Sequence, residues 1–155
     1  RNYGQSERYV HPELGMNSRL DELQAALLLE RLRWLAGFTE RRRQVAARYD
    51  AELRHPRVRL LAPPQQPGAH VHHLFPLLCD DRTALARHLS DQGVQTLIHY
   101  PVPVHKQEPC AALRRDPLGL PHAEAYAAAC LSIPCHPQLS DADVGHVIRA
   151  INGWR

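Results

Sequence analysis

Leucines recur at helical spacing in the first third of the chain. They stand at Leu20, Leu23, Leu27, Leu28, Leu32 and Leu35. Because residues three or four apart share one face of a helix, this pattern predicts an amphipathic helix. Asn17 and Ser18 are residue types that cap helix starts, and Ser18-Arg19-Leu20-Asp21 has the form of a capping box. We therefore expect the helix to begin at Asn17 or Ser18.

The helical pattern is interrupted at Gly37, which predicts a break or a kink. A second helical stretch is predicted from about Thr39 to Leu53, and Pro56 ends it. The first third of the chain is thus expected to form a long helix pair. Its apolar face is too large to be covered by this chain alone, so we expect it at an interface.

Short apolar stretches alternate with helical ones in the remaining two thirds. Strands are predicted at residues 58–61, 70–79, 94–100 and 131–135, and helices at 82–92, 122–130 and 141–151. Asp80 or Asp81 caps the first of these helices, and Ser140 caps the last. The proline-rich segment 101–121 predicts an ordered irregular loop. This order predicts an α/β fold with a small, mostly antiparallel sheet and helices packed on one side.

The composition fits one globular domain or a compact part of a larger protein. With 44% hydrophobic residues and a net charge of +3, the chain of 155 residues is not a disordered one. No apolar run approaches the roughly 20 residues that a membrane span needs. No signal peptide opens the chain, and the four cysteines are not a disulfide framework, so we expect a cytoplasmic protein with reduced thiols. Since Arg1 is not an initiator Met, we expect a processed protein or a piece of a longer one.

A zinc site is one alternative that the sequence raises and disfavours. His70 and His72 share one face of a predicted strand, and Cys130, Cys135 and His136 are close in sequence. However, the sequence has no Cys-x-x-Cys pair and no second cluster at ligand spacing. We therefore expect no metal ion.

The basic residues raise a nucleic-acid partner as another alternative. All 19 of them except Lys106 are arginine, and Arg31, Arg33 and the run 41–43 alternate with acidic residues. This alternation is typical of a solvated face or a dimer surface, so we expect no nucleic-acid partner. Lys106 follows His105 in a loop that is expected to be exposed, and we interpret it as an ordinary surface lysine.

Several segments along the chain match one known pattern in the right order. The most specific is GMNSRLDELQAA at residues 15–26. The others are residues 1–11, 39–49, 72–75, 93–105 (with HYPVPVH at 99–105) and 131–144 (with LSIP at 131–134). Together they resemble the DegT/DnrJ/StrS-type pyridoxal-phosphate-dependent nucleotide-sugar aminotransferases, which have aminotransferase fold type I.

This resemblance implies that the chain is the C-terminal part of such an enzyme. Residues 1–16 would connect it to an N-terminal cofactor domain, residues 17–55 would form an interdomain or dimer interface, and residues 56–155 would form a small α/β domain. The N-terminal domain would supply the Schiff-base lysine, so no catalytic residue is expected in this chain. The resemblance also implies a homodimer, because sites of this family are shared between subunits.

The resemblance further implies roles for five residues. Asn17 would reach the pyridoxal 5'-phosphate of the partner subunit, where its alternative is to cap its own helix. Arg19 would bind an anionic part of the substrate, or else pair with a neighbouring acid. His99, Tyr100 and His105 would line the sugar pocket, their alternative being ordinary loop residues. The segment 108–110 departs from the family pattern, in which an aromatic residue is more usual.

The implied activity is transfer of an amino group, from glutamate, onto a keto-sugar nucleotide. That reaction would serve the synthesis of surface polysaccharides or glycosylated metabolites. Two alternatives stay open at this point. The chain could be a non-catalytic module that binds a sugar nucleotide or a partner protein, or part of a related pyridoxal-phosphate-dependent sugar dehydratase.

Overall fold

The computed structural model describes residues 4–18, 20–66, 68–110, 112–113 and 116–155. The chain divides into two compact units, residues 1–37 and 38–155. Its helices are α1 (Glu22–Glu52), α2 (Arg82–Asp91), α3 (Pro121–Ala129) and α4 (Asp141–Asn152), and its strands are β1 (Val58–Leu60), β2 (Phe75–Cys79) and β3 (Cys130–Ile133). Two short 3-10 helices, Val104–Lys106 and Glu108–Cys110, lie in the proline-rich segment. Among the described residues, no helix is long and apolar enough to cross a membrane.

Helix α1 corrects two predictions for the first third of the chain. It begins at Glu22, and the Ala25 N–H donates to the Asp21 carbonyl at 2.8 Å, so Asp21 and not Asn17 or Ser18 precedes the helix. It also runs through Gly37 without the predicted break, forming one helix in place of a pair. A single glycine costs a helix only about 1 kcal/mol, and the alanine, leucine and arginine residues around it are strong helix formers.

The three strands form one antiparallel sheet in the order β1-β2-β3. Val58 pairs with Cys79 at one edge, and Phe75 pairs with Ile133 at the other. The strand predicted at residues 94–100 is reduced to a single bridge, in which Leu97 and Ser132 exchange backbone hydrogen bonds of 3.1 and 2.7 Å. In this register Pro134 would face residue 95 in the next hydrogen-bonded pair, and it lacks the N–H group that would extend the pairing on that side.

The core of the second unit forms where the sheet meets α2, α4 and the second half of α1. In β2, Phe75, Leu77 and Cys79 are buried while the residues between them are partly exposed, and every residue of β3 is buried. Each fully buried leucine in this core contributes about 1.5–3 kcal/mol. The predicted α/β fold with a small antiparallel sheet is confirmed.

Both predicted helix caps in the second unit are confirmed. The Asp81 carboxylate accepts the Ala84 N–H at 3.2 Å and caps α2. At the start of α4, the Ser140 hydroxyl accepts the Asp143 N–H at 3.1 Å, and the Asp143 carboxylate accepts the Ser140 N–H at 3.0 Å. This reciprocal pair is a complete capping box, and it fixes the boundary of the last helix.

The first unit leaves its large apolar side chains exposed. At least half of the surface is open to solvent for Leu14, Met16, Leu20, Leu23, Leu27, Leu28, Leu29, Leu32, Trp34 and Leu35. Single exposed leucines are common, but seven of these ten side chains lie on α1, and so many exposed apolar side chains on one helix are unusual for a surface in contact with water.

Candidate functional site

A cavity of about 670 Å³ lies in the second unit, between the proline-rich segment and helix α3. Pro101 and Pro103 restrict the backbone that leads into the 3-10 helix Val104–Lys106. The turn is closed by the Lys106 N–H, which donates to the Pro103 carbonyl at 2.9 Å. A stiff loop of this kind presents side chains in fixed positions, as binding loops do.

Three residues predicted from the sequence, His99, Tyr100 and His105, line this one cavity. The His99 Nδ1 lies 2.9 Å from the Ser132 hydroxyl, which ties the start of the loop to strand β3. The rings of His99 and Tyr100 meet edge to face at 5.4 Å, and Tyr100 is 70% exposed. The structure therefore brings the three side chains together.

Glu124, on helix α3, is a residue of this cavity that sequence reasoning missed. Its Oε1 lies 3.0 Å from the His105 Nε2, and its Oε2 accepts a hydrogen bond from the Lys106 Nζ at 2.6 Å. The hydrogen bond from Lys106, and to a lesser extent that from His105, holds the pKa of Glu124 below its usual value. The sequence did offer one signal, since Glu124 is the single acidic residue of its helix.

Lys106 is half-exposed, as predicted for a surface lysine, but it is bound to this carboxylate. The pair is open to water, so its contribution to folding stability is small. Its effect is local, because one carboxylate holds two consecutive residues of the 3-10 helix against α3.

The other walls of the cavity are mainly apolar. They include Val102, Val104, Leu113, Leu120 and Ala127. Burial raises the pKa of the Tyr126 phenol, which also lines the space. A mainly apolar pocket with a few fixed polar groups suits a small organic ligand that has both apolar and hydroxyl-bearing surfaces.

A second cavity of about 610 Å³ shares His99 with the first and includes Arg42 and Ser132 in its lining. The Arg42 guanidinium donates to the carbonyls of His72 (3.2 Å), His73 (3.0 Å) and Cys135. Because the Arg42 guanidinium donates to carbonyls on both sides, it joins the segment before β2 to the segment after β3.

A family model, the DegT/DnrJ/EryC1/StrS aminotransferase family, matches residues 1–152. The chain belongs to this family. The erythromycin biosynthesis sensory transduction protein EryC1 of Saccharopolyspora erythraea is 46% identical over 153 residues, which are 97% of this chain and 41% of the relative. The dTDP-3-amino-3,4,6-trideoxy-α-D-glucose transaminase of Streptomyces venezuelae is 42% identical over 158 residues, with 99% of this chain and 41% of the relative covered.

A solved structure leads to the same conclusion. The crystal structure of Streptomyces venezuelae DesV in complex with a ketimine intermediate matches with a TM-score of 0.87 and 40% identity, over 99% of this chain and 42% of that one. The chain thus spans about two fifths of the length of these relatives. The resemblance inferred from the sequence is confirmed.

For a DegT/DnrJ/EryC1/StrS family member, the implied cofactor is pyridoxal phosphate. Asn17, in the first unit, is exposed and lies outside any helix, five residues before α1, so it does not cap that helix. An exposed side-chain amide is a hydrogen-bond donor that suits a phosphate oxygen. Asn17 therefore fits a cofactor-phosphate contact. Arg19 lies outside the described residues.

The four cysteines are all described by the structure. All four cysteines carry free thiols, and burial raises the pKa values of Cys79 and Cys135. Within the part of the chain that the structure describes, no group of three His, Cys, Asp or Glu side chains is placed to hold a metal ion.

Proposed function

We propose that the chain is the C-terminal part of a pyridoxal-phosphate-dependent aminotransferase that transfers an amino group from glutamate onto a keto-sugar nucleotide. The family match over residues 1–152 carries this proposal. The Streptomyces venezuelae relative is named as a dTDP-amino-sugar transaminase, which supports a nucleotide-linked sugar as substrate. The enzyme works in the cytoplasm and serves the synthesis of a polysaccharide or a glycosylated metabolite.

In this proposal the 670 Å³ cavity contributes to the sugar site. His99, Tyr100 and His105 bind the sugar hydroxyls, and Arg19 binds an anionic part of the nucleotide, since a guanidinium pairs well with phosphate oxygens. The apolar walls pack against the C–H surface of the sugar ring and exclude water from it. Fixed hydrogen-bond partners orient the sugar carbon that receives the amino group.

Pyridoxal phosphate, when bound, supplies the electron sink that transamination needs. This chain's own contribution is Asn17, whose amide donates to the phosphate of the cofactor held by the partner subunit of a homodimer. Residues 1–16 connect the chain to the cofactor domain, residues 17–55 form the interdomain or dimer interface, and residues 56–155 form the small domain. The exposed apolar side chains of the first unit support an interface there.

The test begins with the intact mass of the native gene product. A mass well above 17.6 kDa is expected, because the proposed activity needs a cofactor domain that these residues do not contain. The purified product is then incubated with pyridoxal phosphate, 2-oxoglutarate and dTDP-3-amino-3,4,6-trideoxy-α-D-glucose. In this reverse direction, the amino group leaves the sugar as a ketone forms, and glutamate appears in equal amount.

The outcomes of this assay separate the alternatives. Glutamate formation with a panel of amino-sugar nucleotides supports the proposal and reports the preferred sugar. Loss of water from a keto-sugar nucleotide without glutamate formation would indicate the dehydratase. Sugar-nucleotide binding without either reaction, or a mass of 17.6 kDa, would indicate a non-catalytic module.

A further inference from the structure

Glu124 bridges two consecutive residues of the loop that lines the proposed sugar site. We propose that Glu124 is a positioning residue, which holds the His105 imidazole in one tautomer and one orientation in the cavity wall. This inference rests on the proposed function, which makes His105 a sugar-binding residue. It adds a residue that was not among the five predicted from the sequence, and it assigns a direction to the His105 hydrogen bond.

The two oxygens of the carboxylate have separate partners. Oε1 lies 3.0 Å from the His105 Nε2, and Oε2 lies 2.6 Å from the Lys106 Nζ. A carboxylate can only accept hydrogen bonds, so the proton of a neutral His105 must be on Nε2. Nδ1 then carries a lone pair and can accept a hydrogen bond from a sugar hydroxyl.

The protonation state of Glu124 supports this arrangement. Its contacts with Lys106 and His105 lower its pKa, so the side chain is ionised at neutral pH and cannot donate to the imidazole. A neutral carboxylic acid in the same place could donate to Nε2 and favour the opposite tautomer. The charge of Glu124 thus fixes the direction of the hydrogen bond.

Both ends of the contact lie in backbone-hydrogen-bonded elements. Glu124 is in the first turn of α3, where its N–H donates to the Leu120 carbonyl at 3.1 Å. The His105 side chain is 19% exposed and projects from a closed 3-10 turn. Within the described part of the chain, Glu124 is the one residue that hydrogen-bonds the His105 ring. Without Glu124, the imidazole would be free to flip and to exchange tautomers.

The test uses the full gene product and two kinds of measurement. Nitrogen-15 NMR of the side chain reports the tautomer of His105, whose signals are assigned by their loss in H105A. Steady-state kinetics with dTDP-3-amino-3,4,6-trideoxy-α-D-glucose and 2-oxoglutarate reports KM and kcat. The variants are E124A, E124Q, H105A and the double variant E124A/H105A, and K106M and E52Q are the controls.

In the wild type we expect the Nε2–H tautomer, and in E124A a mixture of the two. E124A should raise the KM for the sugar about tenfold, with kcat changed by less than about threefold, because a ground-state contact is misaligned. In E124Q the single amide oxygen should accept from the Lys106 Nζ, which can only donate, so the amide NH2 faces the His105 Nε2. E124Q should therefore favour the Nδ1–H tautomer and also raise the KM. Since Glu124 acts through His105, E124A should have no further effect in the H105A background.

The controls separate this role from a structural one. K106M removes the other half of the bridge and should leave the His105 tautomer unchanged. E52Q breaks a comparable carboxylate contact, that of Glu52 with Arg48 at 2.8 Å, away from the cavity, and should change neither readout. Circular dichroism checks folding, and E124Q carries the test if E124A does not fold.

Two results would overturn the inference alone. The first is that the effects of E124A and H105A on KM are additive. The second is that the His105 tautomer is unchanged in E124A and E124Q. Both apply to an enzyme that carries out transamination. If the wild type transfers no amino group from any amino-sugar nucleotide, the proposed function fails, and the role of Glu124 in it fails too, whatever the NMR shows.

Discussion

Tyr49 illustrates how a single buried polar atom is accommodated in the core. The residue is fully buried, its hydroxyl donates to the Pro134 carbonyl at 2.8 Å, and its ring meets Phe75 at 5.0 Å. Burial also raises the pKa of the phenol, so the hydroxyl keeps its proton as a donor at neutral pH. The contact joins α1 to the segment that follows β3.

We expect Y49F to lower the free energy of unfolding by about 1–2 kcal/mol, because the Pro134 carbonyl loses its donor in a buried site. Urea unfolding monitored by circular dichroism measures the change. Y126F is a matched control, since the Tyr126 hydroxyl has no hydrogen bond to a described residue and is only partly buried. Equal losses in the two variants would show that the Pro134 contact is not the cause.

His72 links folding stability to pH. Its pKa is lowered first by burial and then by His70, whose ring lies 4.3 Å away. The unfolded chain therefore binds a proton at a higher pH than the folded one. The stability from this residue is present above the unfolded pKa of about 6.5 and is lost as pH falls through the folded pKa.

We expect H72N to unfold with a weaker dependence on pH than the wild type between pH 7 and pH 5. Asparagine suits this position because the backbone has a φ of 48°, which asparagine tolerates better than most residues. Urea midpoints at several pH values give the two slopes. Identical slopes would mean that burial of His72 does not contribute to acid sensitivity.

At the scale of elements, the effect of a Gly→Ala change on stability can be compared between Gly37 and Gly93. A Cβ added at either position meets no atom within 4 Å, but Gly93 has a φ of 74° and Gly37 lies inside α1. We expect G37A to stabilise the fold by about 0.5–1 kcal/mol through helix propensity. We expect G93A to destabilise it by about 1 kcal/mol or more through backbone strain. Urea unfolding tests both signs, and a loss of stability in G37A would contradict the continuous helix.

Local signals predicted the elements whose boundaries are set locally. The caps at Asp81 and Ser140 lie within three residues of the groups they bind, so the sequence was enough to place α2 and α4. The start of α1 was misplaced because Asn17, Ser18 and Asp21 are all acceptable cap types, and composition does not choose among them.

Long-range contacts explain what the sequence did not predict. The stretch around Leu97 has strand-like composition, but within the described part of the chain its backbone pairing is the one with Ser132, a residue 35 positions later. Glu124 joins the candidate site through contacts with residues 18 and 19 positions earlier. The motif at 99–105 was sufficient to group His99, Tyr100 and His105, since a proline-stiffened loop keeps neighbours in sequence near each other in space.

At the scale of the whole molecule, the exposed leucines of the first unit raise the question of whether another domain or subunit covers them. Leu28 and Leu32 are one helical turn apart on α1, and they are 50% and 57% exposed. If the full gene product leaves them in water, changing them to polar residues shifts stability by no more than about 0.5 kcal/mol each. If the cofactor domain or a second subunit covers them, each change removes a substantial part of the roughly 1.5–3 kcal/mol that a buried leucine contributes.

We expect the second case, and L28Q/L32Q should therefore lower the free energy of unfolding of the full gene product by about 2 kcal/mol or more. E30Q is the control, because Glu30 lies on the same helix and makes only an exposed ion pair with Arg33 at 3.1 Å. Thermal unfolding is measured at two protein concentrations. A loss that grows on dilution places the leucines between subunits, because dimer dissociation then contributes, whereas a loss independent of concentration places them between domains of one subunit. Equal stability of L28Q/L32Q and E30Q would contradict an interface at this surface.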